Sequence, residues 1–313
     1  MLLVAAFLAF FALCGLAIDF VYFGAFTSGG PPFPVAAPAA LVGSGLIAAG
    51  AYRFGDRLLL RSLGAEPLDP VVPEHRELRN VVTEMALASG CPMPGIWVIY
   101  DPAPNAFATG RDERSAAVCA TTGLLALLNR EETQGVVAHE MAHIKNNDTL
   151  LMMLVAVLLG AVALLSDWAQ RTAGALPRRR GARIKLVFAL PALLLIAISP
   201  LVSRLLAMAV SRRREYLADA CAAEFTRNPL GLAKALEKIR DAGLPFHRAP
   251  RGTAHLFFVD PLRRRMGERE GRLADWLATH PPIEHRIELL YRMAGIPRAS
   301  QARPVDGVRE SAK

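Results

Sequence analysis

The stretch that decides the fold is VVAHEMAHIKNND, residues 136–148, because it contains the pattern His-Glu-x-x-His. On a helix, His139 and His143 lie one turn apart on the same face, where their imidazoles can bind one tetrahedral zinc ion. Glu140 follows the first histidine and is placed to accept a proton from a water molecule that the metal activates. Apolar residues flank the motif, so we predict a buried helix, and buried histidines and carboxylates require partners.

A third protein ligand must come from elsewhere in the chain. The metzincin pattern would place glycine at position 146 and histidine at 149, where this chain has Asn146 and Thr149, so that class is excluded. The segment SRRREYLADA, residues 211–220, offers Glu215 and Asp219 four residues apart on one helical face. Glu215 can bind the metal while Asp219 accepts a hydrogen bond from a ligating histidine. The alternative is an exposed helix on which both carboxylates pair with the neighbouring arginines.

The hydrophobic residues, 53% of the chain, are concentrated in apolar blocks rather than spread evenly. These blocks cover residues 2–18, 34–52, 150–165 and 186–210, and each is close to the length needed to cross a bilayer. No basic residue precedes the first block and no cleavage site of small residues follows it. We therefore predict a retained membrane helix there and not a signal peptide.

Turn residues and hydrophobic periodicity divide the chain into segments. We predict an N-terminal transmembrane hairpin (residues 1–52), the first part of a catalytic domain with the His-Glu-x-x-His helix (53–148), a second apolar hairpin (149–210), the second part of the catalytic domain (211–294) and a polar tail (295–313). Short strands are predicted at residues 96–100, 105–109 and 116–121, after a helix that begins at Pro73. The predicted fold class is α+β: a zincin-like catalytic domain, mostly helical with a small β-sheet, plus up to four transmembrane helices.

The charges of the chain indicate its topology and exclude one class of partner. The net charge of +8 comes from 36 lysines and arginines that cluster beside the apolar blocks, and no nucleic-acid motif accompanies them, so no nucleic-acid partner is predicted. Arg53, Arg57 and Arg61 follow the second block, which by the positive-inside rule places the catalytic domain in the cytosol. The basic run within residues 171–185 breaks that rule if the third and fourth blocks both cross fully, so whether the second hairpin crosses stays open.

The cysteines exclude two kinds of site. The chain has 4 cysteines and no close pair among them. This spacing is typical neither of a disulfide framework nor of a thiolate zinc site. The cysteines are therefore predicted to be small buried residues in a reducing compartment.

Four pieces of the sequence point to one family. They are NAFATG (residues 105–110), HEMAHIKNND (139–148), SRRREYLADA (211–220) and THPP (279–282) followed by Arg286. With these pieces and its apolar blocks in this order, the chain resembles the HtpX-type membrane metalloproteases, a branch of the gluzincins related to the CAAX prenyl proteases. The resemblance extends over nearly the whole chain, up to Ala294. One departure is Tyr216, where the family commonly has phenylalanine, and it keeps the aromatic ring.

The resemblance implies an integral inner-membrane endopeptidase that acts in membrane-protein quality control. It implies one zinc ion per chain, bound by His139, His143 and Glu215, with Glu140 as the general base and Asp219 holding a ligating histidine. The expected partners are polypeptide substrates, among them misfolded membrane proteins, and the lipid bilayer. Together with the charge pattern, this predicts a multi-pass protein whose active site faces the cytosol.

Two further residues are candidates for contact with the substrate. Asn105 begins the predicted strand 105–109, which can pair with an extended substrate as an edge strand, although an ordinary short strand fits the residues equally well. His280, which precedes two prolines, can reach the site and stabilise the oxyanion, or it can cap the last helix.

Two competing functions fit parts of the sequence. A prenyl-peptide protease would normally need more spans than the four predicted here. A non-catalytic metal-binding membrane protein would fill the fourth position of its zinc site with a protein ligand, and no fourth candidate stands at suitable spacing. The intact Glu140 also favours the protease.

Overall fold

Helices form most of the described molecule. The computed structural model describes residues 2–22, 33–158, 160–161, 212–244 and 281–296. The described helices are α1 (Leu2–Tyr22), α2 (Ala36–Ser62), α3 (Pro73–Ser89), α4 (Thr122–Leu127), α5 (Arg130–Lys145), α6 (Asp148–Leu158), α7 (Arg212–Thr226), α8 (Pro229–Ala242) and α9 (Ile283–Met293). Their boundaries follow local signals: proline stands in the first turn of α3 and α8, and Gly90 and Gly243 end these helices in left-handed conformations.

A small mixed sheet packs against the helices. Its strands are β1 (Glu66–Pro67), β2 (Gly95–Ile99), β3 (Ala106–Thr109) and β4 (Ala117–Thr121), in the spatial order β1-β2-β4-β3. β2 and β4 are parallel, and the other two pairs are antiparallel. The predicted strands are confirmed to within one residue at each end, and β3 lies at an edge of the described sheet. The prediction of a mostly helical chain with a small sheet is confirmed as well.

The largest apolar core lies between α3, the sheet and the helices α5, α8 and α9. It includes Val81, Val98, Met141, Leu236 and Ile287, all fully buried. α5 runs through this core and buries most of its side chains, as the sequence predicts. Each large apolar side chain among them, such as that of Met141, stabilises the fold by roughly 1.5–3 kcal/mol on burial. The motif helix is therefore held in place along most of its length.

The first two helices form a hairpin. Asp19, near the end of α1, is fully buried, and its carboxylate accepts hydrogen bonds of 2.8–2.9 Å from the backbone N–H groups of Val35, Ala36 and Ala37. A carboxylate at a helix N-terminus satisfies N–H groups that have no partner within the helix. Asp19 thus caps α2 and ties the two helices together.

The apolar helices give partial information on membrane spans. Within the described residues, one helix contains a stretch long and apolar enough to cross a membrane, Leu3–Phe20 of α1. α2 continues without a break through the predicted boundary at residue 52. α6 is a shorter apolar helix, and Met153 within it lies against Gly55 of α2. The fourth apolar block, residues 186–210, lies outside the described residues, so the number of spans stays a prediction.

Candidate active site

The helix that carries the motif is fixed by its cap and by its crossing with α8. The Asn129 side chain accepts a hydrogen bond from the Glu132 backbone N–H (3.0 Å), and the Glu132 carboxylate accepts one from the Asn129 N–H (2.8 Å). One turn before His139, a Cβ atom at Gly135 would come within 2.6 Å of the Leu232 backbone nitrogen. Glycine therefore permits the close helix crossing that positions the histidines.

α7 carries the two carboxylates predicted for the site. It packs against α5, and Glu215 and Asp219 are 1% and 2% exposed. The alternative of an exposed helix is therefore wrong, because both residues are buried. Buried carboxylates are stable as ions only when positive charge and hydrogen-bond donors surround them. Their neighbours consequently define what the site can bind.

Three side chains converge on one point. His139, His143 and Glu215 each contribute a ligand atom, and these atoms lie within 4.8 Å of one another. The two Nε2 atoms are 3.1 Å apart, and the Glu215 oxygens lie 3.7 Å from Nε2 of His139 and 3.6 Å from Nε2 of His143. Two nitrogens bound to one tetrahedral zinc ion at about 2.0–2.1 Å stand roughly 3.3 Å apart, so this spacing fits a shared metal ion.

A carboxylate holds the far side of each imidazole. Asp219 Oδ1 lies 2.9 Å from Nδ1 of His139, and Asp148 Oδ2 lies 3.2 Å from Nδ1 of His143. Because an ionised carboxylate can only accept, each Nδ1 carries a proton and each Nε2 presents a lone pair to the point of convergence. Lone pairs and a carboxylate that face one another repel unless a cation stands between them. The donor set therefore fits a metal ion.

Asp148 has no role in the sequence-based prediction. It is the first residue of α6, is 3% exposed, and joins His143 to the guanidinium of Arg214 in α7. Helical spacing does not connect it with His143, because the chain turns between them and Asn147 adopts a positive φ of 55°. Periodicity alone therefore cannot reveal this contact.

Arg286 of α9 is the second residue that the sequence does not assign. Its guanidinium donates to both carboxylate oxygens of Asp219 at 2.8 and 2.7 Å, and its Nη1 lies 3.5 Å from Glu215. It is 2% exposed, so a full positive charge is buried beside two carboxylates. In the sequence, Arg286 follows the THPP motif closely, but only folding of the chain brings α9 to the cluster.

Burial and neighbouring charges change the acid–base properties of the cluster. Burial raises the pKa of Glu140 to about 7 and lowers the pKa of His139 to about 4. Burial also acts to lower the pKa of His143, but the hydrogen bond to Asp148 and the charge of Glu215 outweigh it and raise that pKa to about 8. Without a metal ion, His143 is therefore an imidazolium at neutral pH, and the second proton on its Nε2 must leave before that nitrogen can bind a metal ion.

Of the two candidate substrate residues, the described chain includes Asn105. It is 4% exposed and stands immediately before β3, where its Oδ1 accepts a hydrogen bond from the Ala106 N–H (3.0 Å). Within β3, the backbone N–H of Ala108 donates to the Glu140 carboxylate, so the edge strand runs beside the motif helix. His280 lies outside the described residues.

Comparison with known proteins identifies relatives over most of the chain. Residues 73–294 match the family model of peptidase family M48. The chain is 44% identical over 245 residues to the protease HtpX homolog of Caldanaerobacter subterraneus subsp. tengcongensis, covering 77% of this chain and 79% of the relative. It is 45% identical over 248 residues to the protease HtpX homolog of Thermoanaerobacter pseudethanolicus, with 77% and 79% covered.

Among solved structures, the chain is similar to Ste24p of S. mikatae. The TM-score is 0.47 and the sequence identity 17%, with 91% of this chain and 62% of that chain covered. The match to the family model, by contrast, extends across the motif helix, α7 and α9. The chain therefore belongs to peptidase family M48, and it is a membrane metallopeptidase.

Proposed function

We propose that this chain is an integral membrane zinc endopeptidase, with one zinc ion bound by His139, His143 and Glu215. The observation that carries the proposal is the convergence of their ligand atoms within 4.8 Å, beside a Glu140 that is 3% exposed. Two imidazoles and one carboxylate leave the fourth position of a tetrahedral site open, which is typical of catalytic zinc. Among the described residues, no fourth histidine, cysteine or carboxylate belongs to the cluster, which disfavours a structural site.

The chemistry proposed is hydrolysis of a peptide bond. When bound, zinc polarises the peptide carbonyl and lowers the pKa of a water molecule to about 7. Glu140 accepts the proton of the attacking water and passes it to the leaving amine, and a pKa of about 7 suits both steps. Asp219 and Asp148 keep the histidines in the tautomer that presents Nε2. Arg286 offsets the negative charge of the buried carboxylates.

We propose that β3 and His280 bind the substrate. β3 is the edge strand of the described sheet and contacts α5, so an extended peptide that pairs with it would pass along the motif helix. Asn105 fixes the start of this strand through its contact with Ala106. His280 stands three residues before α9, the helix that carries Arg286, and is proposed to donate a hydrogen bond to the oxyanion.

The main substrates proposed are misfolded or damaged membrane proteins, in a quality-control role. Asp148, which contacts His143, is already the first residue of the apolar helix α6. Met153 lies against Gly55 of α2, and the five residues from Asp148 correspond to a rise of about 7.5 Å. Gly55 is less than one turn beyond Tyr52, where the apolar block of α2 ends. The active site is therefore proposed to lie close to the bilayer surface.

The proposed organisation is a multi-pass inner-membrane protein with a cytosolic active site. The N-terminal hairpin (residues 1–52) and the second apolar hairpin (149–210) anchor a catalytic domain built from residues 53–148 and 211–294, followed by a polar tail. The Asp19 cap, which ties α1 to α2, supports the first hairpin. The arginines that follow the apolar part of α2 support the cytosolic side.

Proteolysis of an unfolded test protein by the purified full-length chain tests this function. We expect cleavage by the zinc-loaded chain, loss of cleavage after chelation, and recovery when about one equivalent of zinc is restored. Metal content is measured on the same preparations. A chain that binds one zinc ion but cleaves no unfolded protein would instead be a metal-binding membrane protein without protease activity.

A further inference from the structure

A basic pocket lies where α2 meets the turn between β3 and β4. Its lining consists of Tyr52, Arg53, Asp56 and Arg57 from α2 and of Arg111 and Ser115 from the turn. None of these residues belongs to the metal cluster. The pocket has a volume of about 90 Å³, which is room for one tetrahedral oxyanion.

The basic pocket carries an excess of positive charge. Its lining contains three arginines and one carboxylate, that of Asp56. Within the described part of the chain, Arg53 and Arg57 form no ion pair, whereas Arg111 contacts Asp112 at 3.2 Å. Three arginines that line one pocket with a single carboxylate among them repel one another, and an anion between them reduces that repulsion. The charge of the pocket therefore indicates an anionic ligand.

Aromatic rings hold two of these guanidinium groups in place. The Arg111 guanidinium lies over the ring of Tyr52, 5.9 Å from its centroid, and the Arg53 guanidinium lies 5.4 Å from the centroid of Phe54. Cation–π contacts of this kind position a charge without neutralising it. Arg111, whose aromatic partner Tyr52 also lines the pocket, is therefore partly ordered before any ligand binds.

α2 places the basic pocket at the end of an exposed apolar surface. Leu41, Val42 and Leu46 are 46–70% exposed, although they belong to a helix that is packed on its other side. Tyr52 and Phe54 follow at 50% and 53% exposure. Aliphatic residues followed by aromatic and then basic ones are typical of a helix that leaves the hydrocarbon core through the headgroup region. With α2 crossing the bilayer as proposed above, the pocket stands at the depth of lipid phosphates.

We propose that the basic pocket binds the phosphate group of an anionic lipid headgroup. Guanidinium groups bind phosphate oxygens through parallel N–H bonds, and the hydroxyl group of Tyr52 adds one donor, whereas the Ser115 hydroxyl donates to Asp112 at 2.8 Å. Asp56 accepts a hydrogen bond from a headgroup hydroxyl, such as those of glycerol, and so favours phosphatidylglycerol over headgroups without hydroxyls. This proposal does not depend on the zinc endopeptidase activity.

Native mass spectrometry of the full-length chain in an uncharged detergent tests the pocket. Retained ligands are counted during titration with phosphatidylglycerol, phosphatidylcholine or inorganic phosphate. The pocket variant combines Arg53→Gln, Arg57→Gln and Arg111→Gln. Its control combines Arg61→Gln, Arg76→Gln and Arg114→Gln, which removes three exposed arginines that do not line the pocket.

We expect the parent and the control to retain phosphatidylglycerol in preference to phosphatidylcholine. The pocket variant should bind it roughly 100-fold more weakly, because each arginine near an anionic surface contributes roughly fivefold. An equal loss in both triple variants would show diffuse charge attraction and overturn the proposal. Retention of inorganic phosphate without phosphatidylglycerol would also overturn it, in favour of a free-phosphate site. Unchanged zinc content shows that the pocket variant is folded. If the triple variant does not fold, Arg57→Gln alone is tested and should bind phosphatidylglycerol roughly fivefold more weakly. Parent-like binding by Arg57→Gln would overturn the proposal.

Discussion

Glu140 and Glu131 stand on the same helix, but only Glu140 is buried beside the histidines. Glu140→Gln keeps the shape of the side chain and removes the base. We expect unchanged zinc content and a fall in peptide hydrolysis of about 10²–10⁴-fold or more. Glu131→Gln, in the first turn and exposed, should keep parent activity. Elemental analysis and a turnover assay on the same preparations measure both quantities, and near-parent turnover by Glu140→Gln would contradict its assignment as the base.

The carboxylates of the cluster differ in what they contact. Glu215 faces both Nε2 atoms, so Glu215→Gln should lose the metal ion. Asp148 contacts only the far nitrogen of His143, so Asp148→Asn should weaken zinc binding by about 10–100-fold without abolishing it. A competition titration with a fluorescent chelator measures both affinities. Asp112→Asn, on the turn between β3 and β4, is the matched control. A zinc affinity of Glu215→Gln like that of the parent would mean that the third ligand lies elsewhere.

The protonation of His143 makes zinc binding depend on pH. Its pKa is raised to about 8 because the Asp148 hydrogen bond and the Glu215 charge outweigh the effect of burial. Below that pH, zinc must displace a proton, so the apparent affinity should rise roughly tenfold per pH unit up to about pH 8 and then level off. Asp148→Asn removes the hydrogen bond that raises the pKa, so its plateau should begin at a lower pH. An unchanged plateau in this variant would contradict the contribution of Asp148.

At the scale of elements, the crossing of α5 with α8 sets the position of the histidines. A methyl group at Gly135 would come within 2.6 Å of the Leu232 backbone, which cannot rotate away as a side chain can. Gly135→Ala should therefore destabilise the fold by about 1–3 kcal/mol and lower Tm by several degrees. Gly43→Ala is the control, since nothing lies within 4 Å of its added methyl group. Thermal unfolding of both variants checks this. An unchanged Tm for Gly135→Ala would mean that the two helices separate freely.

Local signals explain which elements the sequence predicts. α3 has proline in its first turn and Gly90 after its last, and β2, β3 and β4 are short apolar runs between turn residues. β1 has no such signal, because a strand of 2 residues forms only by pairing with β2. α2 continues ten residues beyond Tyr52 because a helix does not end where its apolar composition ends.

In the site, too, local spacing reveals some residues, whereas others are brought in only by the fold. His139, His143 and Glu140 share one helical face or adjoin it, and Glu215 and Asp219 repeat that spacing on α7, so periodicity reveals all of them. The contacts of Asp148 and Arg286 join residues across a turn or between distant helices, and no spacing rule encodes such a contact. Only packing brings them to the cluster.

At the scale of the whole molecule, the catalytic cluster is assembled from two stretches that flank residues 149–210. The histidines precede this segment, Glu215 follows it, and the ion pair between Asp148 and Arg214 joins its two ends beside the residues proposed to bind the metal ion. We therefore expect the way in which residues 149–210 meet the membrane to affect the site directly. If both apolar blocks of the segment cross, its two ends emerge on the same side of the bilayer, as this contact requires.

Topology is the prediction that belongs to this scale. The arginines after the apolar part of α2 predict that Ser62 lies in the cytosol, and a second hairpin that crosses fully would place Ala175 outside. Ser62→Cys and Ala175→Cys, each in a background without the native cysteines, are treated in intact cells with a membrane-impermeant thiol reagent. We expect protection at position 62, labelling at position 175, and labelling at both after permeabilisation. Labelling at position 62 in intact cells would reverse the cytosolic assignment. Protection at both positions would instead show that the second hairpin enters the bilayer without crossing it, since the segment between its apolar blocks would then stay on the cytosolic side.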